Sequence, residues 1–239
     1  MSNTKLTQEI IDEVKEKMFF EIPENLDLWH WTNIYRSIQI KRHIEDGFDF
    51  TDYNMGATGR GLYASTSAID LMNKGDHIIF FKLKKGSTVL IPDPAIFCVG
   101  IEEFHEMSLS KLGLPTFKFD DYSDELKAHF RANPSIEKIE ELMIAVNPDA
   151  CFYSFALKMS VMIRFNKAII WDESIDAEQT VVDYYKQNPN EMLMFTQKHL
   201  EIFLAKRGIV YEKPTNPFAM MEELTEFKES KEKNNEEKI

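Results

Sequence analysis

Only two of the 239 residues are cysteine, Cys98 and Cys151, too few for a disulfide framework or a zinc site. Each stands in an apolar context, IFCVG and DACFY, which reads as a buried free thiol in a reducing compartment. Long hydrophobic runs are also lacking: IIFF and AVNPDACFYSFAL are too short or too polar to span a bilayer. No charged segment followed by an apolar core opens the chain, so Sec-type export is not expected. The expectation is a cytoplasmic protein, or one delivered into a target cell without a Sec signal. Neither G-x-G-x-x-G nor a P-loop pattern occurs, which argues against a Rossmann or Walker nucleotide site. The six histidines never fall at H-x-x-x-H or H-E-x-x-H spacing, so no metal centre is expected. Acids outnumber bases 40 to 28, a net charge of −12. That balance opposes broad binding to nucleic-acid backbone or anionic membrane, while leaving room for a local basic groove.

What is present describes a well-packed globule: 44% hydrophobic residues, 18 of them phenylalanine. Residues 4–20 predict an amphipathic helix capped by Thr7 or Asn3, with Ile10, Ile11, Val14 and Met18 as its apolar stripe. Pro23 breaks the chain before a strand at Leu26–Trp31, and a helix at Ile34–Ile44 ends at Asp46-Gly47. FDFTDYNMGATGRG reads as a loop, LYAST as a short strand, and SAIDLMNKG as a short helix from Ser67 to Gly75. HIIFFKLKKGSTVLIPD reads as two strands joined at Lys85-Gly86, or as one bent strand. Residues 108–146 are polar and helical, KAIIWDES is a further strand, and 177–207 are helical with Gly208 at the end. The charged tail 222–239 is expected to be disordered. Short strands interrupted by helices, without regular βαβ alternation, predict α+β.

Chemistry concentrates between Leu26 and Pro92. Strand alternation puts Trp29 and Trp31 on one face and His30 on the other, with Leu28 and Thr32. His30 and the Thr32 hydroxyl suit hydrogen bonding to sugar hydroxyls. In GATGRGLYASTS, three glycines allow close backbone approach, and Tyr63 in the following strand offers a ring that stacks on a planar heterocycle. Ser65, Thr66 and Ser67 add hydroxyls. Taken singly, His30 and Tyr63 read as structural residues more readily than as functional ones. The acidic pairs Asp120-Asp121 and Glu140-Glu141 read as solvated faces.

LWHWT, then GRGLYAST, then HIIFFKLKKGSTVL together resemble the ADP-ribosyltransferase superfamily, in the branch with a histidine in the first strand and a tyrosine in the second, similar to diphtheria-toxin and poly(ADP-ribose) polymerase enzymes. The resemblance covers Leu26–Pro92 and returns weakly at Arg164–Ile175. It implies an ADP-ribosyltransferase-like split β-sandwich at 22–176, with an N-terminal helix at 1–21, a helical insertion near 108–146 and C-terminal helices at 177–213. It also implies an NAD-dependent mono-ADP-ribosyltransferase with a protein or nucleic-acid acceptor, of a size suited to a bacterial toxin, effector or phage-defence protein. In that reading His30 and Thr32 face the nicotinamide-side ribose, the Trp31 backbone faces the carboxamide, Tyr63 stacks on the nicotinamide, and Gly61 and Ser65 border it. The bond is then cleaved through an oxocarbenium-like species, which needs positioning and electrostatic stabilisation.

The chain departs from the family at the third element. The position best matching the family's late-strand glutamate is Lys167, which accepts no hydrogen bond when protonated. Glu173 is the favoured replacement, with Asp172, Glu102 and Glu103 as alternatives. The related cholera-toxin-like branch is disfavoured, because the chain lacks both its first-strand arginine and any Glu-x-Glu or Gln-x-Glu. Two other readings follow: a catalytically inactive relative that binds through the same cleft, and an NAD-dependent RNA 2′-phosphotransferase, for which Arg60, Arg42 and Arg164 are the few available cations.

Overall fold

The computed structural model describes residues 6–53, 55–56, 59–91, 106–107, 109–110, 112–117, 119–131, 136–154, 160–191, 196–216, 222, 225–230 and 233. The strands are β1 (Phe19–Glu21), β2 (Leu26–Thr32), β3 (Met55–Gly56), β4 (Gly59–Arg60), β5 (Leu62–Ser65), β6 (His77–Leu83), β7 (Thr88–Leu90), β8 (Cys151–Ser154), β9 (Ser160–Ile163) and β10 (Ile169–Ile170). The helices used below are α1 (Gln8–Lys17), α2 (Ile34–Glu45), α3 (Asp124–Arg131), α4 (Ile136–Val146), α5 (Ala177–Gln187) and α6 (Gln197–Ala205). The fold is mixed α+β.

Eight strands form one open sheet in the order β1-β7-β8-β9-β5-β2-β6-β10, antiparallel throughout except for β7 beside β8. β3 and β4 form a separate two-stranded ribbon. The backbone of the sheet is the β2–β6 ladder, paired from Leu26↔Leu83 to Thr32↔His77. Both strands are rich in aromatic and β-branched residues, which suit a pleated surface buried on both sides. Alternation divides them as expected: Leu28, Ile79 and Phe81 enter one face, and Trp29, Trp31, Ile78 and Phe80 the other.

The first face is covered by α2 through Ile40 and Ile44, with Phe50, Leu62, Ala64, Val161 and Ile163 completing one core. The opposite face carries two separate clusters. α1, α3 and α4 cover Leu90, Phe152 and Met162 at one end. α5 and α6 cover Trp29, Trp31 and Phe80 at the other. The outer helices are therefore integral to the core, because each buries an apolar stripe that the sheet alone leaves exposed.

Several sequence expectations change. Helix α1 starts after the expected Thr7 cap but stops at Lys17, because Phe19 and Phe20 pair with Leu90 and Val89 as a strand. SAIDLMNKG is not a helix beyond a 3-10 turn at Met72–Lys74. Ala68, Ile69 and Met72 all lie against the tryptophans, and the Trp31 indole N–H takes the Ala68 carbonyl at 2.7 Å, removing it from any helical ladder. HIIFFKLKKGSTVLIPD does give two strands joined at Lys85-Gly86, β6 and β7, but they do not pair with each other. Gly86, at φ 79°, turns the chain onto Ile22, whose carbonyl accepts from the Gly86 N–H at 2.9 Å, and β7 leaves for the opposite half of the sheet. KAIIWDES yields only the two-residue β10, paired with β6 at the edge. The strands β8 and β9 were not anticipated. Of the tail, 225–230 are helical.

Candidate functional site

His30 and Tyr63 lie on neighbouring strands. β2 meets β5 at one register pair, Trp29↔Ser65, and beyond it the two strands part. The His30 ring occupies this opening, with its Nδ1 hydrogen-bonded to the Tyr63 carbonyl. The two side chains nevertheless leave opposite faces of the sheet: His30 opposes Ile79, whereas Tyr63 packs against the cluster of Leu90, Phe152 and Met162. The Tyr63 hydroxyl donates to the Gly59 carbonyl at 2.5 Å. Ring and backbone, rather than ring and ring, form the pair.

Burial holds the His30 pKa below its ordinary value; the Tyr63 carbonyl opposes this and the charge of Arg36 reinforces it. A neutral ring that donates from Nδ1 carries a lone pair on Nε2, so it accepts a hydrogen bond from a hydroxyl. Arg36 owes its place to the Asn33 cap, whose side chain accepts from the Arg36 N–H at 3.0 Å and starts α2 directly after β2. Sequence reading missed Arg36, although the Thr-Asn boundary after β2 marks the helix start. The lowered pKa has a stability consequence. The unfolded chain takes up the His30 proton below about pH 6.5, before the folded chain does, so stability is present above that pH and falls below it. Urea unfolding measured between about pH 7.5 and about pH 5.5 should show a smaller loss of midpoint in His30→Gln than in the wild type.

The remaining expected residues divide. Ser65 is buried, and its Oγ accepts from the Ser67 N–H at 3.0 Å. Thr32 and Trp31 are buried, and the Trp31 indole is spent on Ala68. Gly61 lies against β9: a Cβ there would stand 2.7 Å from the Ile163 carbonyl oxygen. Glu173 lies in an exposed turn after β10, at the sheet edge, with β6 between β10 and β2. Its neighbour Asp172 accepts from the Ser174 N–H at 2.9 Å and from its hydroxyl at 2.7 Å. Neither acid is brought to the His30–Tyr63 pair. Glu102 and Glu103 lie outside the described residues.

The strand beside Tyr63 is β9, not the segment that resembles the family's late strand. Tyr63 faces Met162 and Ser65 faces Ser160. Lys167 sits in a short turn beyond it and forms a surface ion pair with Asp149, an arrangement that contributes little. Arg164, immediately after β9, is buried, and its Nε and Nη1 meet no hydrogen-bond partner. Nothing in its sequence context, IRFNK, distinguishes it from a surface arginine.

Cys151 is a buried free thiol whose pKa burial pushes up to about 12, which makes it inert. Cys98 lies outside the described residues. Among the described residues no cluster of three or more His, Cys, Asp or Glu could hold a metal ion, and no helix is long and apolar enough to cross a membrane. No family model, curated protein or solved structure matches this chain.

Proposed function

We propose that the chain is an NAD-dependent mono-ADP-ribosyltransferase, built on an ADP-ribosyltransferase-like split sheet and acting on a macromolecular acceptor. The observation that carries this reading is the His30 ring, set in the opening between β2 and β5 and tied to the Tyr63 carbonyl. The resemblance asks for a histidine on one strand and a tyrosine on its neighbour, and the antiparallel pair β2–β5 supports it. NAD supplies a glycosidic bond to a positively charged leaving group. The chain's part is to orient that bond. His30, neutral and with Nδ1 engaged, offers Nε2 to a ribose hydroxyl. The Tyr63 strand borders the same opening through its backbone, whose carbonyl fixes the His30 ring.

A second reading, binding without transfer, is favoured by one observation. The residues facing Tyr63 and Ser65 on β9 are Met162 and Ser160, neither of them acidic. Calorimetric titration with NAD and measurement of nicotinamide release separate the two readings. NAD binding should weaken by about tenfold or more in His30→Ala, whereas Tyr63→Ala keeps the backbone carbonyl that holds the ring. Nicotinamide release that needs His30 supports transfer, and binding without release supports the second reading. Absence of NAD binding, or equal release in the wild type and His30→Ala, overturns the proposal.

A further inference from the structure

Helix α2 turns Ser37, Ile40 and Ile44 to the core. Its opposite face, where a surface helix ordinarily carries charged and polar residues, is largely apolar instead. Ile34 is 46% exposed, Tyr35 78% and Ile38 48%. At the helical period, Ile34, Ile38 and Arg42 form one ridge with Tyr35 beside it, away from the buried side. Exposed apolar residues scattered singly need no explanation, as Ile202 on α6 needs none. Three grouped in the first two turns of one helix make a patch.

Cations border this patch. α2 carries Arg36, Lys41 and Arg42 against the single acid Glu45, in a chain whose acids outnumber its bases 40 to 28. Its first turn holds no acid, and Arg36 stands at the end where the helix dipole opposes a positive charge. Neither Arg36 nor Arg42 forms an ion pair among the described residues. Arg36 therefore serves neither the dipole of its own helix nor an acid of the fold.

The patch stands beside the His30 opening. α2 follows β2 after the single residue Asn33 and covers the face of the sheet that His30 shares with Leu28. Arg36 is near enough for its charge to act on the His30 ring. An apolar row with cations on its flank and at its end is complementary to a segment whose apolar stripe is edged by acids. Nucleic-acid phosphates would meet the cations but gain nothing from Ile34 and Ile38, and the net charge of −12 repels them. A second copy of this face would bring the same cations together.

We infer that the outer face of α2, the ridge Ile34–Ile38–Arg42 with Tyr35 and Arg36, is a docking surface for an acidic amphipathic segment of a protein partner. The inference does not require the NAD reading; where both hold, the docked protein is the acceptor.

The test uses the full chain and three synthetic helical peptides of about four turns. Each has the same leucine stripe, with glutamate, glutamine or lysine on its other faces. By fluorescence anisotropy the glutamate peptide should bind about tenfold or more tightly than the lysine peptide, and added salt should weaken it. Ile38→Glu and Arg42→Glu should each weaken that binding by about tenfold or more. Both positions are exposed, so both variants should melt within about 3 °C of the wild type. In methyl spectra the Ile34 and Ile38 signals should move on binding, and that of the equally exposed Ile202 should stay. Equal affinity for the three peptides, unchanged affinity in both variants, or shifts at Ile202 without shifts at Ile38 overturns the inference. Tighter binding of a single-stranded oligonucleotide than of the glutamate peptide overturns it in favour of nucleic acid. Dimerisation that Ile38→Glu abolishes, without peptide binding, overturns it in favour of a second copy. If the glutamate peptide binds through Ile38 and NAD does not bind, the docking surface stands and the NAD reading falls. If NAD binding needs His30 and no peptide binds, the docking surface falls and the NAD reading stands.

Discussion

Gly75→Ala should leave little folded protein. A Cβ at Gly75 would stand 2.0 Å from the Thr32 carbonyl oxygen and 2.2 Å from its carbonyl carbon. Both are backbone atoms at the end of β2, where Thr32 pairs with His77, so no side chain can rotate away to relieve the clash. Relief requires the β2 end to separate from the segment that feeds β6. Overpacking usually costs about 1–3 kcal/mol, and a backbone-on-backbone overlap belongs at or beyond the top of that range. For a chain of this size a loss of about 3 kcal/mol lowers the unfolding temperature by roughly 6–12 °C. Because β2 also carries His30, ligand binding should suffer even in the fraction that folds. Circular dichroism melting checks the first effect; a melting temperature within about 2 °C of the wild type would contradict the packing argument. Gly47→Ala is a useful contrast. A Cβ there meets nothing within 4 Å, but the residue sits at φ +74°, so its cost is conformational alone and should be smaller.

Phe81→Ala should be the most damaging single truncation among the sheet residues, at about 3–5 kcal/mol. Phe81 is 1% exposed, pairs with Leu28 across the central ladder, and belongs to the core that joins β2, β6, β9 and α2. Its removal leaves a cavity lined by strands that cannot collapse without breaking their ladders, so the loss reaches the upper part of the range. Phe48 is the matching control. It is 57% exposed and touches the His43 ring edge-on at 5.5 Å, so Phe48→Ala should cost less than about 1 kcal/mol. Paired urea titrations measure the difference. Equal midpoints for the two variants would show that the β2–β6 core does not carry the stability assigned to it.

Local chemistry made some elements readable and tertiary pairing concealed others. Thr7 and Asn33 cap α1 and α2 through side-chain oxygens, and Asp46-Gly47 and Gly208 close α2 and α6, as the turn and cap residues indicate. The period-2 pattern of LDLWHWT set the faces of β2 correctly. Ser67–Gly75 misled because its apolar residues answer to the two tryptophans beneath them, not to a helical period of their own. β8 and β9 escaped because CFYS and SVMI are four-residue runs that pair with each other and with partners, β7 and β5, more than sixty residues away. The same long-range pairing decides what stands beside Tyr63. Sequence similarity pointed to the segment around Lys167, whereas the ladder puts β9 there, and with it Arg164.

Both edges of the sheet are short strands. β1 contributes three residues and β10 two, so β10 pairs with only Lys82 and Leu83 of the seven-residue β6. A second chain seeking to add itself would meet the acidic Glu21 at one border and Asp172-Glu173 at the other. Such borders are poor templates for strand addition, and like charges repel a second copy. An open sheet with an aromatic-rich interior is ordinarily prone to edge-to-edge self-association. This one carries acidic residues at both of its borders.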